Sequence, residues 1–265
     1  LAVVGDAIAS PMVEALKAHP DRWNLSRLIH IGSGGGLFSA HVQAELKRLL
    51  PHIVVADSIG TSEGGTLGGG PKPESGEGFI KLAARPDLRV LSPQHDRFVG
   101  PGEDGVLVRT GNVAVGYWGD PKKTAETFTS LNGEKIVITG DMARVLEDGS
   151  IVVLGRGSQC INTGGEKVFP EEVEEKLTSH DAVLDALVVG IPDARWGSKV
   201  VAVVSLHPGA KVDEQTLQDH CRRDLAGYKV PKSIMFVDQV VRSPAGKADY
   251  RWAKEMAQQR LHPEG

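Results

Sequence analysis

The chain has 265 residues, with 30 Lys+Arg against 34 Asp+Glu for a net charge of −4, and this balance without a basic block excludes a dedicated nucleic-acid binder. With 40% hydrophobic and 24% charged residues it is a folded globular chain long enough for two domains, not a disordered segment. Its 32 Gly and 15 Pro follow no Gly-X-Y period, so they mark turns and close backbone approaches.

Residues 1–5 read as a short buried strand, and Ser10-Pro11 as the cap and first turn of a helix. Residues 28–31 form a second strand, followed by the loop Gly32-Ser33-Gly34-Gly35-Gly36. Val42, Leu46, Leu49 and Leu50 share one face of the next helix, and residues 53–55 form a third strand. Strand-helix alternation of this kind predicts an α/β segment with a parallel sheet over residues 1–63.

Residues 64–155 change texture to short β runs, many glycines and one helix, started by Asp120-Pro121 and running to about Phe128. Asp148-Gly149 is a hairpin turn between two β runs. From 156 onward the pattern is α+β. Pro170 starts a helix with Glu171 and Glu172 in its first turn, residues 186–191 and 200–206 are strands, Asp213 caps a helix, and residues 234–237 are the last strand. The expected organisation is therefore a domain at 1–155, split into α/β 1–63 and β-rich 64–155, and a small α+β domain at 156–265.

Cys160 and Cys221 lie far apart with no second Cys or nearby His at metal spacing, which argues against a disulfide framework and a zinc site. No apolar run approaches the roughly 20 residues of a membrane helix, and no signal-peptide pattern is present, so the reading is cytoplasmic. Leu1 already lies in a strand-like run, as expected of a fragment.

Four segments carry groups suited to chemistry, each with a plain structural alternative. Gly60-Thr61-Ser62-Glu63-Gly64-Gly65 follows a predicted parallel strand, where ligands of α/β sheets bind; its hydroxyls suit phosphate and Glu63 suits Mg²⁺, or it is only a Gly-rich turn with a capping Glu. In Thr139-Gly140-Asp141, a carboxylate just after a strand can accept from a ribose diol, or it is an Asp in a turn. Gly155-Arg156, followed by Asn162-Thr163-Gly164-Gly165-Glu166-Lys167, lies at the expected boundary, as a ligand site or as a linker. In Arg242-Ser243-Pro244-Ala245-Gly246-Lys247, Lys247 sits on a loop from which an ammonium can reach a phosphoryl oxygen, or it is one more solvated lysine.

Taken in order, the segments resemble the motif series of the adenylate-forming superfamily. Gly116-Tyr117-Trp118 through Asp120-Pro121 and on to Phe128, then Thr139-Gly140-Asp141, Gly155-Arg156 with Gly165 and Pro170, and Pro231-Lys232 with Gly246-Lys247 follow its motifs at its spacing. Residues 160–170 and 243–250 are similar to bacterial fatty-acyl-CoA synthetases, including clades acting on steroid side chains. The resemblance implies a two-step acid-thiol ligase using ATP, Mg²⁺ and coenzyme A, in which a carboxylic acid becomes an acyl-adenylate and then a thioester. It implies Lys247 and Glu63 as catalytic groups, with Glu63 on the metal. Asp141 would hold the ribose, and Arg156 the ribose or phosphate. Gly60, Thr61, Ser62, Ile59, Gly35 and Gly36 would line the nucleotide and acyl walls. Gly164 and Gly165 would line a pantetheine tunnel as a C-terminal lid domain rotates. An adenylation domain that loads a carrier protein and a non-catalytic nucleotide- or acyl-binding half remain alternatives, and a homodimer stays open.

The sequence departs from the family at named points. The Ser/Thr/Gly-rich phosphate loop is absent, and Gly68-Gly69-Gly70-Pro71-Lys72 lies on the wrong side of Glu63 to replace it, so the resemblance is to the C-terminal half only. Ile59 stands where an aromatic usually meets adenine. Gln159 and Asn162 stand where the hinge region usually carries charge.

Overall fold

Parallel strands need a crossover, and the first segment of the chain supplies two. The computed structural model describes residues 1–70 and 80–261. In it β1 (Ala2–Val3) leads through α1 (Gly5–Ala18) to β2 (His30–Ser33), and α2 (Ala40–Leu49) leads to β3 (Val54–Asp57). The strands lie in the order β1-β2-β3, with β1 parallel to β2. Ala9, Val13 and Leu16 of α1 and Val42 and Leu46 of α2 cover Val3, Ile31 and Val55, as the apolar spacing requires.

α1 starts at Gly5, not at Ser10-Pro11, which corrects the sequence reading. The Gly5 N–H donates to Ser33 Oγ at 3.1 Å and the Asp6 N–H to the Leu37 carbonyl at 2.7 Å, so tertiary partners satisfy the first orphan donors. Pro11 sits inside the helix on its exposed side and forgoes one helical hydrogen bond.

The middle of the chain is β-rich, as expected. β4 (Ile59–Thr61) and β5 (Gly65–Gly68) form an antiparallel hairpin. β6 (Ile80–Leu82), β7 (Leu88–Leu91), β8 (Asp104–Thr110), α3 (Pro121–Thr127), β9 (Phe128–Leu131), β10 (Glu134–Val145) and β11 (Ile151–Arg156) follow. Their sheet runs β6-β11-β10-β8-β7, with β9 paired to β10. Asp120 caps α3 by accepting from the Lys123 N–H at 2.9 Å. Of the Gly68–Lys72 text, Pro71 and Lys72 lie outside the described residues.

The remainder comprises β12 (Ile161–Thr163), β13 (Glu166–Val168), α4 (Pro170–Thr178), β14 (Val183–Asp193), β15 (Gly197–Leu206), α5 (Glu214–Arg222), β16 (Ser233–Val237) and α6 (Tyr250–Leu261). β14 and β15 are antiparallel and β16 runs parallel to β15. Strand alternation sends Ala186, Val188, Ala202 and Val204 toward the core under α4 and α5, and Leu187, Val189, Val201 and Val203 toward α6. The sequence reading did not identify α6. Its buried stripe is made of Ala253 and Ala257, which carry little hydropathy signal, although Asp249 caps the helix by accepting from the Trp252 N–H at 3.0 Å.

Two compact units result, Leu1–Val55 with Gln159–Gly265, and Ala56–Ser158. Among the described residues no helix is long and apolar enough to cross a membrane, and Cys160 and Cys221 are free thiols.

Candidate active site

The central segment gathers one group of candidate residues through a defect in β10. Its pairing with β8 jumps from Ile138↔Val108 to Met142↔Val106, so Thr139-Gly140-Asp141 bulges out of the ladder. Gly140 has φ +80°, which a side chain would resist. The triplet therefore lies within a strand at a bulge, not just after a strand as the sequence reading had it. Thr139 Oγ1 donates to the Leu107 carbonyl at 2.8 Å and accepts from the Asp141 N–H at 3.2 Å, which braces the bulge.

Arg156 ends β11 directly opposite Asp141 in register. Its Nε is 3.3 Å from Asp141 Oδ1, and its Nη1 donates to the Thr139 carbonyl at 2.7 Å. The Asp141 side chain is 6% exposed and that of Arg156 49%, so a deep carboxylate is paired with a guanidinium reaching solvent. Burial pushes the Asp141 carboxyl up from its usual range, while Arg156 and Thr139 pull it down. Asp141 Oδ2 is buried with no hydrogen-bond donor among the described residues. A pair of adjacent sugar hydroxyls supplies donors of the kind this oxygen lacks.

Glu63 sits in the β4–β5 turn, which Thr61 closes by accepting from the Gly64 N–H at 2.8 Å. A Cβ on Gly60 would lie 2.8 Å from the Gly65 carbonyl, so the hairpin itself dictates glycine there. Ser62 is exposed and Ile59 packs against the sheet core. The Tyr117 hydroxyl donates to Glu63 Oε1 at 2.5 Å. That bond, with the charges of Lys123 and Arg156, holds the Glu63 carboxyl below its usual range. Lys123 also lies over the Tyr117 ring, and Phe128 meets that ring edge-on. The middle segment thus brings Glu63, Tyr117, Lys123, Asp141 and Arg156 into one electrostatic neighbourhood.

The described residues contain no cluster of three metal-ligating side chains. A single ionised carboxylate such as Glu63 suits Mg²⁺, which is usually held by one or two carboxylates plus substrate phosphates and water.

The other unit holds the remaining candidates. Gly164 and Gly165 form the tip of the β12–β13 hairpin. The Gly164 N–H donates to the Trp196 carbonyl at 2.8 Å, and a Cβ there would lie 2.9 Å from the Trp196 ring. Gly35 faces open space, whereas a Cβ on Gly36 would lie 3.3 Å from Val4 Cγ1. Lys247 follows a tight turn in which the Gly246 N–H donates to the Ser243 carbonyl and the Lys247 N–H to Ser243 Oγ. The Lys247 side chain is exposed, and its ammonium has no partner among the described residues. A Cβ on Gly246 would lie 3.6 Å from the same Val4 Cγ1, so Val4 contacts both the Gly36 loop and the lysine turn.

Sequence reasoning gave Tyr117 no role of its own, although it stands inside a recognised motif. It also missed Asp185, which lies near the start of a mostly apolar strand and pairs with Arg242. An acidic residue between Leu184 and Ala186 was the available signal.

Residues 172–247 match the family model of the AMP-binding enzyme C-terminal domain. The chain is 48% identical over 267 residues to a medium/long-chain-fatty-acid–CoA/3-oxocholest-4-en-26-oate–CoA ligase of Mycobacterium tuberculosis, covering 97% of this chain and 47% of the relative. It is 45% identical to a 3-oxocholest-4-en-26-oate–CoA ligase of Rhodococcus rhodochrous, covering 96% of this chain and 47% of that protein. The crystal structure of ATP-bound MatB from Rhodopseudomonas palustris superposes with a TM-score of 0.76 at 27% identity, covering 98% of this chain and 51% of that one. The chain spans about half the length of the curated relatives it matches. In fold, in motif order and in sequence along nearly its whole length, this chain belongs to the adenylate-forming superfamily, as a relative of part of its acyl-CoA ligases.

Proposed function

We propose that this chain carries the nucleotide-holding and lid portions of an ATP-dependent acyl-CoA synthetase, with residues 1–155 in the large domain and 156–265 as the lid. The observation that carries this reading is the buried, donorless Asp141 Oδ2 beside the half-exposed Arg156. A carboxylate is stable in such a place when a ligand brings hydroxyl donors to it.

In the first step a carboxylate oxygen of the acid attacks the α-phosphorus of ATP and pyrophosphate leaves. In the second the sulfur of CoA attacks the acyl carbonyl carbon and AMP leaves. Asp141 accepts from the ribose hydroxyls and Arg156 faces the ribose or phosphate. Ile59 gives adenine an apolar contact, next to the Gly60-Thr61-Ser62 turn. Glu63 would hold Mg²⁺, which would supply positive charge to the phosphates. Lys247 offers its ammonium to the negative charge that develops during adenylation. Gly164 and Gly165 leave room for the pantetheine arm, and Gly35 and Gly36 for the acyl group. The acids named for the relatives, medium- and long-chain fatty acids and a steroid side-chain acid, are the substrate classes we assign.

The test uses the full-length protein with an acid panel. Lys247→Ala is expected to stop pyrophosphate release from ATP and acid, yet spare thioester formation from supplied acyl-adenylate. Equal loss of both steps overturns the lysine assignment. Turnover with a phosphopantetheinyl carrier but not with free CoA overturns the acceptor assignment.

A further inference from the structure

Lys247 gains its position from residues that lie far from it in sequence. Arg242 forms a two-pronged pair with Asp185 of β14, Nε to Oδ2 and Nη2 to Oδ1, both at 2.7 Å. Its third nitrogen, Nη1, turns the other way and donates to the Gly246 carbonyl at 3.3 Å. One guanidinium therefore ties the peptide unit immediately before Lys247 to the central sheet. Arg242 also bridges to Ala248, which brings the two sides of the turn together. Gly246 packs on Ala7 of α1, where an added Cβ would lie 3.3 Å from Ala7 Cβ.

A second anchor follows three residues later. The Tyr250 hydroxyl donates to Glu174 Oε2 at 3.1 Å, and Glu174 Oε1 accepts from the Val188 N–H of β14 at 2.8 Å. The lysine turn is thus tied at its entry to Asp185 of β14 and at its exit to Glu174 of α4, which itself holds the Val188 N–H of β14. The tip between the anchors is exposed. A rigid base under a free ammonium is what a group that must meet developing charge requires.

We propose that Arg242, held by Asp185, is the positioning residue for Lys247, with Tyr250 on Glu174 as the second anchor. This inference rests on the adenylation role given to Lys247 above, and its test separates the two. Lysine cannot replace this arginine, because an ammonium cannot hold both carboxylate oxygens and the Gly246 carbonyl in one plane.

The experiment measures both half-reactions and amide hydrogen exchange of residues 243–248 in the full-length protein. The variants are Lys247→Ala, Arg242→Ala, Arg242→Lys and the Arg242→Ala/Lys247→Ala pair. Arg242→Ala is expected to slow adenylation at least tenfold, leave the thioester step from supplied acyl-adenylate within twofold, and speed exchange at Gly246 and Lys247. Arg242→Lys should recover little of the loss. In the Lys247→Ala background the added Arg242→Ala should cost nothing further in adenylation, because it acts through the lysine. An equal loss in both half-reactions, full recovery with Arg242→Lys, or a further loss in the Lys247→Ala background overturns the positioning role. Normal adenylation by Lys247→Ala alone overturns the lysine reading, while faster exchange in Arg242→Ala would still show the clamp. If Arg242→Ala does not fold, Arg242→Lys and Asp185→Asn read the same three quantities.

Discussion

The Tyr117 hydroxyl donates to Glu63 Oε1 at 2.5 Å, across 54 residues of sequence. The bond stabilises the ionised carboxylate and occupies its Oε1. Tyr117→Phe leaves the ring packed on Phe128 and removes only this donor. A hydrogen bond to a charged group contributes roughly 1.5–3 kcal/mol, so the Mg²⁺ needed for half-maximal adenylation should rise about tenfold. A Mg²⁺ titration of pyrophosphate release checks this, and an unchanged midpoint contradicts it.

Asp141→Asn tests the nucleotide cradle. The amide keeps the shape but supplies one acceptor where the carboxylate supplies two, and it breaks the pair with Arg156. AMP affinity measured by calorimetry should fall about 10- to 30-fold, or roughly 1.5–2 kcal/mol. The melting temperature of the ligand-free protein should not fall, because a buried charge with a donorless oxygen has been removed.

Asp6 is expected to destabilise the protein at neutral pH. Burial pushes its carboxyl from 3.8 up to about 6, with the Asp185 charge adding to the rise and the Ser39 bonds and Arg242 opposing it. The folded state then holds its proton more tightly than the unfolded chain does. Stability falls as pH rises from about 4 to about 6, and the loss persists above. Asp6→Asn can still accept from the Ser39 N–H and does not ionise. It should stabilise the protein at pH 7 by about 1–3 kcal/mol and flatten the decline between pH 4 and 6, as read by urea unfolding.

Glu174 gives the same sign over a wider window. It is buried, and its carboxyl is pushed from 4.5 up to about 8, chiefly by burial and then by the Glu171 charge. Its contribution is complete at low pH and is lost as pH rises toward about 8. Glu174→Gln keeps an acceptor for the Val188 N–H and a polar group facing Tyr250, so thermal stability at pH 8.5 should equal or exceed that of the parent protein. Glu174→Leu orphans both partners and should cost about 2–4 kcal/mol at pH 6.

Much of the architecture was legible because its signals are local. Asp120 and Asp213 each cap a helix through the N–H three residues ahead, at 2.9 and 2.8 Å. Pro170 opens α4, and the apolar spacing in residues 42–50 marks the buried face of α2. α1 was misplaced because its first donors are satisfied by Ser33 and Leu37, which no local window contains. α6 was missed because alanines form its buried stripe.

The sequence by itself determined the family, most of the element types and the identities of Glu63, Asp141, Arg156 and Lys247 as candidates. These rest on residue types and spacings, which the chain carries before it folds. Only tertiary structure decided how those groups are held: the bulge that sets Asp141 against Arg156, the Tyr117 donor on Glu63, and the Asp185–Arg242 clamp across 57 residues under Lys247. Such pairs form only when long loops close and strands settle in register. Their geometry depends on packing between segments, and no local stretch of sequence encodes it.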